Sequence, residues 1–430
     1  MNKTLTFFSI IVLQLCSSLV FAGGPLVIEG PNENTPVTYE NPNITLHVES
    51  GALGALTNTA ADTILKEAFD LWNTVNTSTV NLIFDDVQIA VDINIDNFTD
   101  FIPNVAGTVF NGDDGLNPIV YDTNGDIIDA FFGVGASDHT IGFAASIFNL
   151  GSSFFNEGYA VINGKDLGRL DLTEAEFKLL IAHEIGHLFG LDHSQTNINN
   201  QEDIFGTTFI CTTDIPENYP VMYPFVCRGD NTSLHADEVS AISALYPTAD
   251  INNNFGILQG NFVDKTGTSI LGANIWAENT TTGKVISIVS DYLKQGNGFY
   301  KLYLPPGNYT LHANSINTLF YGGSSVGPYA FDLSDKSFVA PHPIPEVTYQ
   351  GTTQDNPAII TVATNQTLNI VFSITGNDAV LITPPAESSG SSGISYITLL
   401  LLLSLLLLAR YADINRYREK TVATSRSRCL

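Results

Sequence analysis

The sequence predicts an α/β (α+β) domain with a mixed, twisted sheet and three main helices, followed by an all-β sandwich. As far as residue 248, strand-like runs alternate with segments of helical periodicity. From Gly256 onward only short apolar runs separated by turn residues are found, which is typical of a sandwich. A chain of 430 residues is long enough for two cores. We therefore predict domains at residues 23–248 and 255–378.

Apolar side chains at helical spacing predict the three helices, and alternating or continuous β-branched runs predict the strands. Thr173 and Glu176 form a capping-box pattern at the start of the second helix. The helices are predicted at Ala60–Val75, Glu174–Phe189 and Ala236–Leu245. The strands of the first domain are predicted at Ile44–Val48, Val80–Phe84, Val87–Ile95, Pro118–Tyr121, Ile141–Ala145 and Tyr159–Ile162. Those of the second are predicted at Gly256–Val263, Ala273–Glu278, Val285–Val289, Gly298–Leu304, Asn308–Ala313, Ile359–Val362 and Leu368–Ile374.

The composition is that of a folded protein with a strongly acidic surface. Hydrophobic residues make up 44% of the chain and charged residues 14%, which argues against intrinsic disorder. The chain contains 17 basic and 44 acidic residues, which gives a net charge of −27. Such a surface repels phosphate backbones, so the charge argues against a nucleic-acid partner.

Both ends of the chain carry targeting patterns. Residues 1–22 combine Lys3, an apolar stretch and a small-residue cleavage site after Ala22, as in a secretory signal peptide. At the other end, a flexible linker at 379–393 precedes a Leu-rich segment at 394–409 and a basic tail at 410–430. This order predicts a membrane anchor, and it also resembles the sorting segments that Gram-negative surface proteins lose by cleavage. We expect an extracytoplasmic protein, either secreted or attached to the membrane through this segment.

Two cysteines of the first domain can close a short loop. In an oxidising compartment, Cys211 and Cys227 would form a disulfide, and two free thiols are the alternative.

One passage, residues 183–193, has the spacing of a catalytic metal site. His183 and His187 lie four residues apart, on one face of the predicted helix. Gly190 can end the helix and return His193 to the same point. Three imidazoles suit zinc and leave a fourth position open for water, next to which Glu184 can act as a general base. The sequence therefore predicts one catalytic Zn²⁺ ion bound by three histidines.

This passage resembles the extended zinc signature of the metzincin endopeptidases, and downstream residues resemble their matrixin-like branch. Pro220–Pro224 is similar to the Met-turn of that family, which implies that Met222 packs beneath the zinc. The run Ile141, Gly142, Phe143, Ala144 and Ala145 resembles the edge strand along which a peptide substrate lies. The resemblance implies a zinc-dependent endopeptidase that cleaves extended polypeptides. A catalytically inactive adhesion or matrix-binding protein on the same scaffold is the alternative.

Two further patterns accompany the resemblance. Asp122, Asn124, Asp126 and Asp129 have the oxygen spacing of a small calcium loop, although Asp and Asn also form ordinary turns. The second domain resembles carboxypeptidase regulatory-like β-sandwiches through its Gly260–Gly267, Gly272–Ile275 and Leu304–Leu311 segments. No catalytic residue is identified in that domain.

Overall fold

The computed structural model describes a mixed α/β chain, as predicted. The structure describes residues 24–29, 34–87, 89–102, 114–149, 151–165, 173–194, 219–223, 233–315, 344, 346–351 and 357–374. Within them lie four α-helices: α1 (Asn58–Asn73), α2 (Asp126–Phe132), α3 (Glu174–Leu188) and α4 (Ala236–Leu245). The strands are β1 (Ile28–Glu29), β2 (Thr35–Pro36), β3 (Asn43–Val48), β4 (Asn81–Asp85), β5 (Pro118–Asp122), β6 (Gly142–Phe148), β7 (Phe155–Asn163), β8 (Gly256–Val263), β9 (Ala273–Asn279), β10 (Val285–Val289), β11 (Phe299–Leu304), β12 (Gly307–Ser315), β13 (Val347–Thr348), β14 (Ile360–Val362), β15 (Thr367–Asn369) and β16 (Phe372–Ser373).

A five-stranded mixed sheet organises the N-terminal part, in the order β4-β3-β5-β7-β6. The first four strands are parallel and β6 runs antiparallel to β7 at one edge. Helices α1 and α3 pack against one face, around a core that includes Leu46, Leu65 and Ile181. The other face is covered by α2 and the segment around Ile93. Both faces of the sheet are therefore buried, and β6 is an edge strand beside α3.

Local signals explain where the two long helices begin. Helix α3 starts with the capping box predicted for Thr173 and Glu176. Helix α1 starts two residues earlier than predicted, because the hydroxyl of Thr57 accepts the Ala60 N–H. The two helices are joined by Trp72, whose indole N–H donates to the Ala182 carbonyl over 3.0 Å. This bond ties α1 to the helix that carries the candidate metal ligands.

The predicted strand at Val87–Ile95 is wrong. Its described residues, 87 and 89–95, lie outside the strands, although Ile89 and Ile93 are buried. The Ile93 N–H donates to the carboxylate of Glu49, and the Val91 carbonyl accepts from Ser50. The buried side chain of Glu49 thus accepts the Ile93 N–H, which in a strand would donate to a neighbouring strand.

The C-terminal part, which we call the C-terminal β unit (residues 256–374), contains two sheets. One has the order β10-β9-β12-β13, with β14 paired to β12, and the other has the order β11-β8-β15, with β16 paired to β8. Side chains from both sheets, among them Leu258, Ile275 and Leu311, form one hydrophobic core. The predicted final strand, Leu368–Ile374, is divided into β15 and β16. Strand β13 lies in a stretch that the sequence analysis did not assign to a strand.

The expected membrane anchor is not supported and is withdrawn. In the part of the chain that the structure describes, no helix is long and apolar enough to cross a membrane. The segment at 394–409, like residues 1–22, lies outside the described residues.

Candidate metal site

Three histidines come together at the C-terminal end of α3. His183 and His187 project from the same face of the helix, one turn apart. Gly190, with φ of +98°, then reverses the chain, and its N–H donates to the His187 carbonyl. A side chain at Gly190 would lie 2.8 Å from the ring of Phe155, so the turn requires glycine on steric grounds as well. The reversal carries His193 back to the other two imidazoles.

The three Nε2 atoms converge on one point. Nε2 of His183 lies 3.0 Å from Nε2 of His187 and 3.1 Å from Nε2 of His193. His187 and His193 are each only 3% exposed. Among the described residues these three are the one group of His, Cys, Asp or Glu side chains whose ligand atoms are close enough to share a metal ion.

Hydrogen bonds from the opposite ring nitrogens orient two of the imidazoles. Nδ1 of His183 lies 2.6 Å from the Val221 carbonyl, and Nδ1 of His187 lies 2.8 Å from the Leu191 carbonyl. A carbonyl can only accept, so both rings donate from Nδ1 and present a lone pair at Nε2. Two lone pairs facing each other across 3.0 Å repel unless a cation lies beside them. The donor set therefore fits a metal ion that prefers imidazole, such as zinc.

Burial keeps these rings neutral and makes the neighbouring carboxyl group a stronger base. It lowers the pKa of His183 to about 4 and that of His187 well below the usual range, so both are neutral ligands at pH 7. Burial also raises the pKa of Glu184 to about 8. A bound dication would oppose that rise, since positive charge favours the carboxylate.

Glu184, the residue after His183, contacts the first residue of the edge strand β6. A Cβ placed on Gly142, the first residue of β6, would be 2.9 Å from Cγ of Glu184 and 2.9 Å from the Val161 carbonyl oxygen. The backbone of β6 therefore passes directly over the Glu184 side chain, and glycine makes this approach feasible. In the described residues β6 pairs with β7 alone, so its other edge faces away from the sheet. The predicted edge strand began at Ile141, but the strand itself begins at Gly142 and continues to Phe148.

Met222, the residue predicted to pack beneath the zinc, lies against Gly186 of helix α3. It is 2% exposed, and its thioether occupies the space left by the missing side chain of Gly186. The Met222 carbonyl accepts the Ser194 N–H over 2.7 Å, and the preceding carbonyl, of Val221, orients His183. The turn at 219–223 thus supports two of the three ligands.

Two acidic residues of α4, which the sequence analysis did not single out, hold this arrangement. Glu238 accepts the Met222 N–H over 3.0 Å and caps α4 through the His235 N–H. Asp237 accepts the hydroxyl of Ser194, the residue after His193, over 2.5 Å. Burial raises the pKa of Asp237 to about 7 and that of Glu238 to about 8. No periodic pattern in the sequence marks these long-range contacts.

The acidic residues predicted for calcium do not converge. Asp126 and Asp129 lie within α2, a helix that was not predicted. The Asp122 carboxylate accepts the Ile128 N–H, and the Asp129 carboxylate accepts two backbone N–H groups of the following turn. The described contacts of Asp122 and Asp129 are thus local backbone hydrogen bonds, and calcium binding stays a prediction. Cys211 and Cys227 lie outside the described residues.

Comparison with known proteins adds no assignment: no family model matches the chain, and no curated protein matches it.

Proposed function

We propose that the protein is a zinc-dependent endopeptidase. One observation carries the proposal: three imidazoles direct their Nε2 atoms to one point, and the residue after His183 is a buried glutamate that contacts an edge strand. Three protein ligands with a fourth position open is the arrangement of catalytic rather than structural zinc. In this proposal the N-terminal α/β part is a metzincin-like catalytic domain, and the C-terminal β unit is a regulatory-like sandwich.

His183, His187 and His193 would hold the zinc ion. When bound, zinc supplies Lewis-acid polarisation of the scissile carbonyl and makes a water molecule more acidic. Glu184 takes a proton from the attacking water and later delivers it to the departing amine. Its contact with Gly142 fixes the side chain at the end of the substrate-binding edge.

The substrate in this proposal is an extended polypeptide. The outer edge of β6 offers backbone N–H and C=O groups that a peptide can pair with in antiparallel orientation. Such pairing recognises the main chain and places an internal peptide bond next to Glu184. The signal-like residues 1–22 support secretion, so we propose action outside the cytoplasm.

The test compares the full-length chain with two matched glutamate variants of helix α3. Bound zinc is measured by elemental analysis, and cleavage of an unfolded protein is followed by mass spectrometry. Glu184→Gln should retain zinc and lose activity by about 10²- to 10⁴-fold, the contribution of a general base. Glu174→Gln, an exposed position in the same helix, should retain both zinc and activity.

Each outcome has a distinct meaning. Absence of zinc from the wild-type chain would refute the metal site. Zinc without cleavage of any unfolded protein would favour the alternative of an inactive binding protein. Equal activity of wild type and Glu184→Gln would refute the role of this glutamate.

A further inference from the structure

The edge strand of the C-terminal β unit contacts the metal-binding part of the chain. Strand β10 pairs with β9 on one side only in the described residues. The Ser287 N–H, which points away from β9, donates to Oδ1 of Asp237 over 2.6 Å. Both residues are buried, with Ser287 4% and Asp237 1% exposed. A buried carboxylate thus covers a backbone group at a sheet edge and gains a charge-assisted hydrogen bond.

The other carboxylate oxygen of Asp237 reaches the segment next to a metal ligand. Oδ2 accepts the hydroxyl of Ser194 over 2.5 Å, and Ser194 follows His193 directly. The Ser194 N–H donates to the Met222 carbonyl over 2.7 Å. Ser194 is fully buried. These two bonds fix the residue after His193 and leave its backbone little freedom to shift.

Helix α4, which carries Asp237, is held against the C-terminal β unit at other points. The hydroxyl of Ser240 donates to the Tyr303 carbonyl over 2.8 Å, and Ala236 packs against the core of the unit. One turn of the helix therefore contacts β10 and β11, while the same turn contacts Ser194 and Met222 through its two acidic residues.

We infer that the C-terminal β unit is a positioning element of the metal site and acts through Asp237 on the segment that carries His193. The inference rests on the proposed zinc site. The bond from Ser287 holds the Asp237 carboxylate in place, and the carboxylate holds Ser194. Loss of the Ser287 N–H frees the carboxylate to rotate, which loosens the segment of His193. Groups that do not bind the metal themselves but orient one of its ligands typically contribute 10- to 100-fold in metal affinity.

The experiment removes the hydrogen-bonding groups of one residue at a time from the full-length chain and measures zinc affinity by competition with a chelating dye. Ser287→Pro removes both groups of Ser287 that hydrogen-bond to Asp237, the N–H and the hydroxyl, and it lies in an edge strand, where proline breaks no bond to β9. Val285→Pro is the matched control, since its N–H also points away from β9 and it begins the same strand. We expect about tenfold weaker zinc binding for Ser287→Pro and wild-type binding for Val285→Pro.

A double-mutant cycle with Ser194→Ala tests whether Ser287 acts through Asp237 and Ser194. If Ser287 acts through Asp237 and Ser194, the double variant should bind zinc no more weakly than Ser194→Ala alone. Asp237→Asn keeps an oxygen for the Ser287 N–H and an N–H for the Ser194 hydroxyl, so it should retain more affinity than Asp237→Ala. The visible absorption of the cobalt-substituted proteins, which reports ligand geometry, should change in Ser287→Pro and not in the control.

The outcomes separate this inference from the function it rests on. A wild-type chain without zinc overturns the metal site and this inference together. A wild-type chain that binds zinc, with a folded Ser287→Pro variant of equal affinity and unchanged cobalt spectrum, overturns this inference alone. Equal losses in Ser287→Pro and Val285→Pro would also overturn it, since the effect would then be general to the strand.

Discussion

In the proposed enzyme, replacement of Gly142 by alanine should impair catalysis without removing the zinc ion. The added Cβ would lie 2.9 Å from Cγ and 3.2 Å from Cδ of Glu184, and 2.9 Å from the Val161 carbonyl oxygen. Carbon atoms normally approach to about 3.5 Å, so Cγ must retreat by about 0.6 Å. The Val161 carbonyl belongs to the β7 backbone and cannot yield as easily as a side chain. The displacement therefore falls mainly on Glu184.

A misplacement approaching 1 Å at a catalytic group can cost about 10²-fold in rate. We expect kcat of Gly142→Ala to fall by about that factor, with KM changed less and zinc still bound at the wild-type ratio. Replacing a glycine within a strand is itself stabilising, whereas overpacking destabilises. The free energy of unfolding should therefore change little or fall by about 1–3 kcal/mol.

Glu184→Ala provides the background that isolates the clash. Without Cγ and Cδ at position 184, the new alanine methyl group loses its clash with the glutamate and keeps the one with the Val161 carbonyl. In urea unfolding, Gly142→Ala should therefore destabilise the Glu184→Ala protein less than it destabilises wild type. A wild-type kcat in Gly142→Ala would refute the argument, because it would show that Glu184 does not need the space above it.

Three further predictions follow from burial and packing. Gly186→Ala should destabilise the wild type by about 1–3 kcal/mol, because the new Cβ would lie 2.4 Å from the sulfur of Met222. The same change should cost less in a Met222→Ala protein, where the Trp72 ring at 3.1 Å still crowds the new methyl group. Equal effects in both backgrounds, measured by urea unfolding, would contradict the packing. Chelation of zinc should lower the free energy of unfolding by about 4 kcal/mol, compared with protein in which the free zinc concentration is 1,000 times the Kd. An unchanged Tm in calorimetry would contradict a metal site in the folded state. Burial raises the pKa of Glu49 to about 8. The folded state therefore holds a proton that the unfolded state releases near pH 4. The stability that this proton contributes to the folded state is lost as the pH rises toward 8. The free energy of unfolding should accordingly fall between pH 6.5 and 8, less steeply in Glu49→Gln, and parallel curves would refute the assignment.

The parts of the structure that local chemistry determines could be predicted from the sequence. Helix α3 has its capping box, its apolar face and its terminal glycine within one short segment, so the helix and the convergence of its histidines were both predictable. Helix α4 and strands β8 and β10 have the predicted bounds for the same reason. Where several local signals agree, tertiary contacts need only reinforce them.

The remaining features depend on contacts between distant residues. The segment at 87–95 is apolar enough for a strand, but the buried Glu49 carboxylate takes the N–H of Ile93 instead. Asp122 and Asp129 have the spacing of calcium ligands, yet both accept nearby backbone N–H groups around a short helix. The bond from Ser287 to Asp237 joins residues far apart in the chain, and neither residue shows its partner by periodicity or spacing.

The proposed metal site is built from segments that leave the ribosome at different times. The segment with all three histidines is synthesised first, the Met222 turn that supports it comes later, and α4 and Ser287 come later still. A nascent chain that ends before β10 has all three candidate ligands but lacks the hydrogen bond from Ser287 to Asp237. The full metal affinity of the proposed site should therefore be reached only after β10 has been made and has packed against α4. The order of synthesis would then separate the formation of the histidine cluster from tight metal binding.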